Sequence, residues 1–296
     1  MPLSRRAFLA GSAALGAGGL LNFRGPSVHA AEPLVKGTPH TDALGWRVGF
    51  STYTFRALTL FETLDKIAQV GLRYAELFAW QRLSPEHDVQ IGPGLSQPLR
   101  KALKDKAADC GVKMMGCYTG LGSPDAAKAF FDFAADMGFE ILVSEPPEGM
   151  FDAIEKLTEE YKIDLGLHNH PEPSRYWHPD TGLEALEGRS ERMGFCCDTG
   201  HWCRSNLEPV EMLKRIGSRM KTFHLKDLDA FGVRGARDVV WGQGEGRIAE
   251  ILAEVKRQGL KPYFGIEWER TSDSEPEIHA ESVAFFEETA GKLAAG

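Results

Sequence analysis

Strand-like and helix-like patterns alternate eight times along this chain, starting at Arg47. The strand-like runs are short and apolar, and the segments between them repeat apolar residues at spacings of three and four, which is typical of amphipathic helices. Several predicted helices end at a glycine directly before the next strand, as in Val70-Gly71 and Gln258-Gly259. Glycine adopts the left-handed conformation at a helix end without a Cβ clash. This alternation predicts an α/β fold with parallel strands.

The number of repeats favours a closed barrel. Eight βα units in about 250 residues match a (β/α)8 TIM barrel, which we predict as a single domain over residues 46–296. An open doubly wound sheet is the alternative. Such a sheet typically has a Gly-rich phosphate-binding turn after its first strand, and residues Ser51 to Phe55 contain no such turn. The predicted strands are Arg47–Ser51, Tyr74–Phe78, Val112–Tyr118, Phe139–Ser144, Ile163–His168, Arg192–Asp198, Lys221–Leu225 and Tyr263–Glu267. The predicted helices cover about 58–70, 97–110, 124–137, 150–161, 181–187, 208–216, 247–258 and 275–293.

The segment before the barrel has the features of a targeting sequence. Arg5-Arg6 lies at the very start, a weakly apolar Gly/Ala-rich stretch follows at 11–21, and small residues around Ala30 suit cleavage. We therefore predict a twin-arginine signal peptide over residues 1–30, a polar linker over 31–45, and export of the folded protein to the periplasm.

Charge and cysteine usage exclude several classes of protein. The formal net charge of -8 argues against a nucleic-acid partner, because proteins that bind phosphate backbones usually carry a basic face. No segment after the signal is long and apolar enough for a stable membrane anchor. The five cysteines are odd in number and contain no Cys-x-x-Cys pair, which indicates buried free thiols rather than disulfides or a zinc–thiolate cluster.

Metal-binding side chains follow the predicted strands at one end. Parallel barrel strands bring their C-terminal ends to one rim, where TIM-barrel enzymes build their active sites. A strand-end histidine or aspartate is by itself often structural, but five such positions predict a shared divalent-metal site. These residues are Glu145, His168, Asp198, His224 and Glu267.

The mixed oxygen and nitrogen ligands favour an open catalytic site over a closed structural zinc site. We expect Mn²⁺ first, with Mg²⁺, Co²⁺, Fe²⁺ and Zn²⁺ as alternatives. A divalent ion at such a site holds neighbouring sugar oxygens, polarises a carbonyl and stabilises an enediolate, while a carboxylate removes the proton next to that carbonyl.

Further residues near these strand ends are candidates for substrate contact. His201 follows Asp198 by three residues, and His170 shares a strand face with His168. Lys226 lies two residues after His224 and suits an oxyanion donor, although a salt bridge to Asp198 or Glu267 is an equal alternative. Trp202 and Trp241 are predicted to stack on sugar faces, as aromatic rings do in such mouths. The Gly-rich run 241–246 lacks the Gly-Lys-Ser/Thr of a phosphate loop and is interpreted as a lid.

Four of these stretches together resemble the xylose isomerase-like TIM-barrel superfamily of sugar phosphate isomerases and epimerases. They are Leu167-His168-Asn169-His170-Pro171, Cys197-Asp198-Thr199-Gly200-His201, Phe223-His224-Leu225-Lys226-Asp227 and Gly265-Ile266-Glu267. The resemblance implies a divalent metal held by Glu, Asp, His and Glu from strands five to eight. Asp198, His224 and Glu267 match the last three positions, and His201 matches a substrate-binding histidine.

The fifth strand departs from the family pattern, because His168 stands where the family commonly has glutamate. Family epimerases use the two glutamates as opposed bases, so this chain is left with Glu267 as base, unless Glu145 replaces the missing one. A single base suits isomerisation, dehydration or β-elimination better than symmetrical epimerisation. Lys226 is the third catalytic candidate.

These inferences predict a metal-dependent sugar isomerase or epimerase acting on a free or oxidised sugar. The alternatives are a metal-dependent lyase or deglycosidase acting on 3-keto sugars, a non-catalytic periplasmic sugar-binding protein, and a nuclease of the endonuclease IV type, which the acidic charge disfavours. The expected partner is a small carbohydrate. Barrels of this kind often pair, so a homodimer is one expectation for the assembly, and the oligomeric state stays open.

Overall fold

The predicted barrel is confirmed. The computed structural model describes residues 32–270 and 274–296, so the predicted signal peptide, residues 1–30, lies outside the described residues. Eight parallel strands close in the order β1-β10-β7-β6-β5-β4-β3-β2, and a two-stranded ribbon of β8 and β9 lies beside them. The strands are β1 (Arg47–Ser51), β2 (Tyr74–Phe78), β3 (Lys113–Tyr118), β4 (Ile141–Ser144), β5 (Asp164–His168), β6 (Met193–Asp198), β7 (Met220–Leu225), β8 (Asp227–Leu228), β9 (Asp238–Val239) and β10 (Tyr263–Ile266).

Helices connect the strands and cover the outside of the barrel. The α-helices are α1 (Pro39–Ala43), α2 (Leu60–Val70), α3 (Gln97–Asp109), α4 (Pro124–Met137), α5 (Phe151–Tyr161), α6 (Pro179–Ala185), α7 (Thr199–Arg204), α8 (Pro209–Ile216), α9 (Ile248–Arg257) and α10 (Pro276–Ala295). In α2 the sequence specifies both ends: Thr59 and Glu62 form a capping box, and Gly71 ends the helix at a φ of 99°.

The core lies between the strands and the helices. Phe223 of β7 stacks on Phe264 of β10 with ring centroids 4.8 Å apart, and Phe286 of α10 packs edge-on against Phe264 at 5.1 Å. Inside the barrel, a Cβ atom at Gly49 would lie 2.1 Å from the Tyr74 carbonyl oxygen, so β1 and β2 approach each other as only glycine permits.

The barrel closes between its first and last strands. Residues 47–50 of β1 pair in parallel with residues 263–266 of β10, in a register that sets Phe50 beside Ile266. This pairing brings Ser51 and the residues after β10 to the same rim as the ends of β5, β6 and β7.

Two α-helices were not predicted. The segment 31–45, expected as a linker, contains α1, and Thr41 Oγ1 donates a 2.6 Å hydrogen bond to Glu287 of α10. The segment expected as a linker thus includes a short helix that starts at Pro39 and packs against α10. Helix α7 follows β6 directly and is only six residues long, too short for a periodic apolar pattern.

The prediction of free thiols is confirmed. All five cysteines are unpaired, and Cys110 alone among them is not buried. In the part of the chain that the structure describes, no helix has the length and apolar character needed to cross a membrane.

Candidate active site

The strand ends bring the predicted metal ligands together at one rim. His168 ends β5, Asp198 ends β6 directly beside His224 of β7, and Glu267 follows β10 by one residue. All four side chains are buried. The parallel register therefore turns four separate sequence positions into one cluster, as barrel geometry requires.

The donor atoms of this cluster lie at coordination-like separations. His168 Nε2 is 3.1 Å from His224 Nδ1 and 3.6 Å from Asp198 Oδ2, and His224 Nδ1 is 3.2 Å from Glu267 Oε1. Donor atoms around a cation with bonds of about 2.1 Å are about 3.0 Å apart at right angles and about 3.4 Å apart in a tetrahedron. The separations of 3.1 and 3.2 Å lie within that range, and the separation of 3.6 Å lies just above it.

His201 belongs to the same group. Ligand atoms of His168, Asp198, His201 and Glu267 all lie within 4.8 Å of one another. Nε2 of His201 is buried, has no hydrogen-bond partner in the described structure, and lies 3.4 Å from Asp198 Oδ2. Because a buried polar atom normally has a partner, this nitrogen points to a ligand or an ion.

Asp198 has a different task for each oxygen. Its Oδ1 accepts a 2.8 Å hydrogen bond from His201 N and so caps α7. Its Oδ2 faces His168, His201 and Lys226. The Asn169 side chain fixes the Asp198 backbone by donating to its carbonyl and accepting from its N–H, both at 2.9 Å.

Lys226 lies between the two carboxylates, and its fully buried Nζ donates to Asp198 Oδ2 and Glu267 Oε2. The salt bridge that the sequence left as an alternative is therefore present. It leaves Glu267 Oε1 facing His224 and Ser51, whose Oγ donates to it at 3.1 Å.

Burial and charge shift the proton affinities in opposite senses. Burial raises the pKa of Glu267, but His224 and Lys226 outweigh it and hold that pKa well below its usual value. Burial lowers the pKa of His168, but hydrogen bonds to Asp198 and Glu145 raise it overall. Glu267 is therefore ionised, whereas burial holds the pKa of the neighbouring His201 well below its usual value.

These features fit a divalent metal. The cluster offers carboxylate oxygens and imidazole nitrogens, the donor set of open catalytic sites. His224 Nε2 is 2.7 Å from Glu76 Oε1, so a carboxylate orients the ring and leaves Nδ1 directed at the cluster. Two groups of ligand atoms, each within 4.8 Å of one another, share His168: one adds Asp198, His201 and Glu267, and the other adds Cys196 and His224. His224 Nδ1 connects the two groups through its contacts with His168 and Glu267.

Glu145 lies at the edge of this cluster. Its Oε1 contacts His170 Nδ1, lies 3.3 Å from His168 Nδ1 and accepts a 3.0 Å hydrogen bond from Tyr118 Oη. It forms a second group with the two histidines and does not share the group that contains Asp198 and Glu267. The structure thus places Glu145 behind His168, as the partner of its ring.

A cavity of about 350 Å³ opens above the cluster. On one side it is lined by His168, His170, His201 and Glu267, together with Glu269. On the other side lies an aromatic wall, which we define as Tyr53, Phe78, Trp80 and Tyr118. Polar groups that converge opposite aromatic faces are typical of small-molecule sites.

Two predicted substrate contacts need correction. Trp202 lies in α7 and Trp241 packs on Phe286 with ring centroids 5.6 Å apart; both rings are buried and neither lines the cavity. Trp202 is buried within a helix, and Trp241 is buried against α10. The aromatic wall comes instead from the ends of β1, β2 and β3.

An ion-pair network at the rim was not predicted. Arg204 Nη1 donates a hydrogen bond to Glu269 Oε2. The other carboxylate oxygen, Glu269 Oε1, is 3.5 Å from His201 Nε2 and 3.8 Å from Lys226 Nζ. Arg204 also donates to Ala236 O at 3.1 Å. Glu269 lies three residues past the end of β10, where strand alternation no longer gives a signal for side-chain direction.

Comparison with known proteins identifies the family. The family model for the xylose isomerase-like TIM barrel matches residues 64–289. The chain belongs to this family. An uncharacterised protein from Parabacteroides distasonis is 32% identical, with 82% of this chain and 99% of that chain covered and a TM-score of 0.68.

More distant structures share the fold. A sugar phosphate isomerase/epimerase from Parabacteroides distasonis is 17% identical, covering 82% of this chain and 94% of that chain at a TM-score of 0.63. A xylose isomerase-like TIM barrel protein from Mycobacterium smegmatis, in complex with magnesium, is 15% identical. The match covers 85% of this chain and 99% of that chain, with a TM-score of 0.68. The comparison with curated proteins finds no match.

In this xylose isomerase-like chain the Gly-rich run is not a free lid. Asp227 is buried, and its Oδ1 accepts from Leu228 N at 3.0 Å and Gly246 N at 2.7 Å. Its Oδ2 accepts from Gly242 N at 2.8 Å and Gly244 N at 3.1 Å. The loop wraps around a carboxylate, so the lid interpretation is wrong for the described conformation.

Proposed function

We propose that this protein is a metal-dependent enzyme that transfers protons on a free or oxidised sugar, most closely an aldose–ketose isomerase. The observation that carries the proposal is the cluster of two imidazoles and two carboxylates beneath a cavity with an aromatic wall. The fold shared with a sugar phosphate isomerase/epimerase supports the class of chemistry.

We propose His168, Asp198, His224 and Glu267 as the metal ligands, with Mn²⁺ as the first candidate. When bound, the metal would polarise a sugar carbonyl and stabilise negative charge that develops on its oxygen. Glu76 keeps His224 oriented, and Glu145 does the same for His168. His201 and His170 face the cavity and would bind substrate hydroxyls.

Glu267 is the proposed base. It lines the cavity and is ionised, because His224 and Lys226 hold its pKa below the usual value. Lys226 neutralises Glu267 and Asp198, and its buried Nζ is held between these two carboxylates and does not line the cavity. Glu145 does not line the cavity and is engaged by two histidines and Tyr118, so it is poorly placed as a second base.

One base on one face of the substrate fits isomerisation better than symmetrical epimerisation. The same arrangement fits a lyase, because β-elimination next to a carbonyl also begins with the removal of one proton. We keep elimination from a 3-keto sugar as the second candidate for that reason.

Proton exchange and metal content test the proposal together. The purified protein is incubated with Mn²⁺ and with free and 3-keto sugars in D₂O, and NMR follows the hydrogens next to each carbonyl. We expect deuterium incorporation with wild type and with Glu148→Gln, a control on an exposed carboxylate. Glu267→Gln should lose exchange, and Asp198→Asn should lose stoichiometric metal. Tight sugar binding without any exchange would instead identify a non-catalytic binding protein.

We further propose export by the twin-arginine pathway, on the basis of Arg5-Arg6 and the stretch that follows. Blue-native analysis of periplasmic and cytoplasmic fractions would test this location and the proposed homodimer at once. A cytoplasmic protein with an uncleaved N-terminus would contradict the proposed export.

A further inference from the structure

A second concave surface adjoins the central cavity on the same rim. This groove, of about 550 Å³, runs between the loop 89–94 and residues 119–120, with Phe130 at its far side. Residues 79–80 follow β2 and residues 119–120 follow β3, so the groove lies above the ends of two barrel strands. No described residue that lines it carries a charge.

Trp80 joins the groove to the cavity, because its ring lines both. It packs against Phe78 and Tyr118, with centroid distances of 5.0 and 5.9 Å, yet 47% of the residue remains exposed. An exposed tryptophan face between two connected hollows is suited to contact with a ligand that spans them.

The groove is built from ordered elements. Ile91 N donates to Gln81 O at 3.1 Å, and Leu83 N donates to Val89 O at 2.8 Å, so the loop 81–91 folds back on itself. The Gln81 side chain anchors the loop through a 2.8 Å bond to Thr63 Oγ1 in α2. The groove is therefore formed before any ligand arrives.

One polar side chain, that of Thr119, lies within this apolar groove. Thr119 is 1% exposed, and its Oγ1 has no hydrogen-bond partner in the part of the chain that the structure describes. Buried hydroxyls are normally satisfied, so this one is available to a ligand hydroxyl. Gln90 adds a second polar side chain at the exposed edge.

We propose that the substrate is a disaccharide or longer saccharide, with its reacting sugar in the cavity and a second neutral pyranose in the groove, stacked along Trp80. This rests on the proposed function for the reacting sugar. An apolar surface with a free hydroxyl and no charge fits a sugar ring, which presents C–H groups on its face and hydroxyls at its edge.

Glycine positions allow the groove to be filled selectively. A Cβ at Gly120 would have Trp80 as its nearest neighbour, at 3.9 Å, and would project into the groove. Gly122 is also exposed, a Cβ there would meet nothing within 4 Å, and it does not line the groove. Gly120→Val is therefore the blocking variant and Gly122→Val its matched control.

The test measures binding by calorimetry to the full, Mn²⁺-loaded protein. The ligands are glucose, galactose, cellobiose, lactose and maltose, each as the free and the 3-keto sugar, and phenyl glucoside. We expect at least one disaccharide to bind at least tenfold more tightly than its monosaccharide. Gly120→Val should abolish that gain and leave monosaccharide affinity unchanged, and Gly122→Val should change neither. Thr119→Val, which keeps the side-chain shape, should also reduce only the disaccharide affinity.

Three results would overturn the inference. These are equal binding of disaccharides and monosaccharides, an equal loss of both in Gly120→Val, or a gain for phenyl glucoside alone. In those cases metal content and deuterium exchange on monosaccharides would persist, so the proposed function would stand. If no sugar of either size binds, the proposed function fails, and the inference fails with it.

Discussion

The Asp227 carboxylate is predicted to hold the loop 228–246 in place. The change in the free energy of unfolding in Asp227→Ala measures this contribution. Its two oxygens accept four backbone N–H groups. Two of these donors, on Leu228 and Gly246, are buried and cannot turn to water, whereas Gly242 lies at the surface. A buried donor without an acceptor costs about 1–3 kcal/mol, so the substitution should lower the free energy of unfolding by about 2–6 kcal/mol.

Urea unfolding followed by circular dichroism measures this loss. Asp229→Ala is the control, because Asp229 lies two residues further on and binds Arg237 at the surface. This variant should unfold at the same urea concentration as wild type. If Asp227→Ala unfolds at the same urea concentration as both, the carboxylate does not support the loop. The same loop supplies Ala236 O to Arg204 and Asp238 to the Glu269 N–H. We therefore also expect slower catalysis where Asp227→Ala is still folded.

Three further predictions follow from the site and the core. A chelator should lower the melting temperature of wild type but not that of Asp198→Asn, because a bound ion stabilises the folded protein by mass action. Equal changes in the two melting temperatures would argue against the proposed ligands. Ser51→Ala removes a hydrogen bond to the Glu267 carboxylate and should slow deuterium exchange about tenfold without loss of metal, as measured by NMR and metal analysis. Burial lowers the pKa of His279 to about 4, so only the unfolded state gains a proton there as the pH falls from 6.5 toward 4. Between pH 7.5 and pH 5, the free energy of unfolding of wild type should thus fall by about 2 kcal/mol more than that of His279→Phe, as measured by urea titration. Equal decreases in the two proteins would contradict this.

The fold was predictable because each barrel unit repeats the same local signals. Apolar strands, amphipathic helices and the glycine at the end of α2 and of α4 all specify the observed elements. Helix α7 escaped prediction because its signal is the Asp198 cap, and an aspartate at a strand end predicts a metal ligand equally well.

The site was predictable only where strand alternation fixes side-chain direction. His168, Asp198 and His224 lie within or at the end of strands, and the register decides where they point. Past the strand end this rule fails, so Trp80 and Glu269 were missed. Trp241 was placed in the mouth because sequence alone does not distinguish a tryptophan that packs against a helix from one that faces a ligand.

The seam between β1 and β10 determines when the site becomes complete during synthesis. Until the last strand has left the ribosome, the nascent sheet keeps two open edges, on β1 and β7, and it lacks Glu267. An ion that meets the chain at that stage finds only an incomplete set of donors. The proposed set of four ligands is thus complete only after the last strand has been made, so an ion held by all four would bind after synthesis of the barrel.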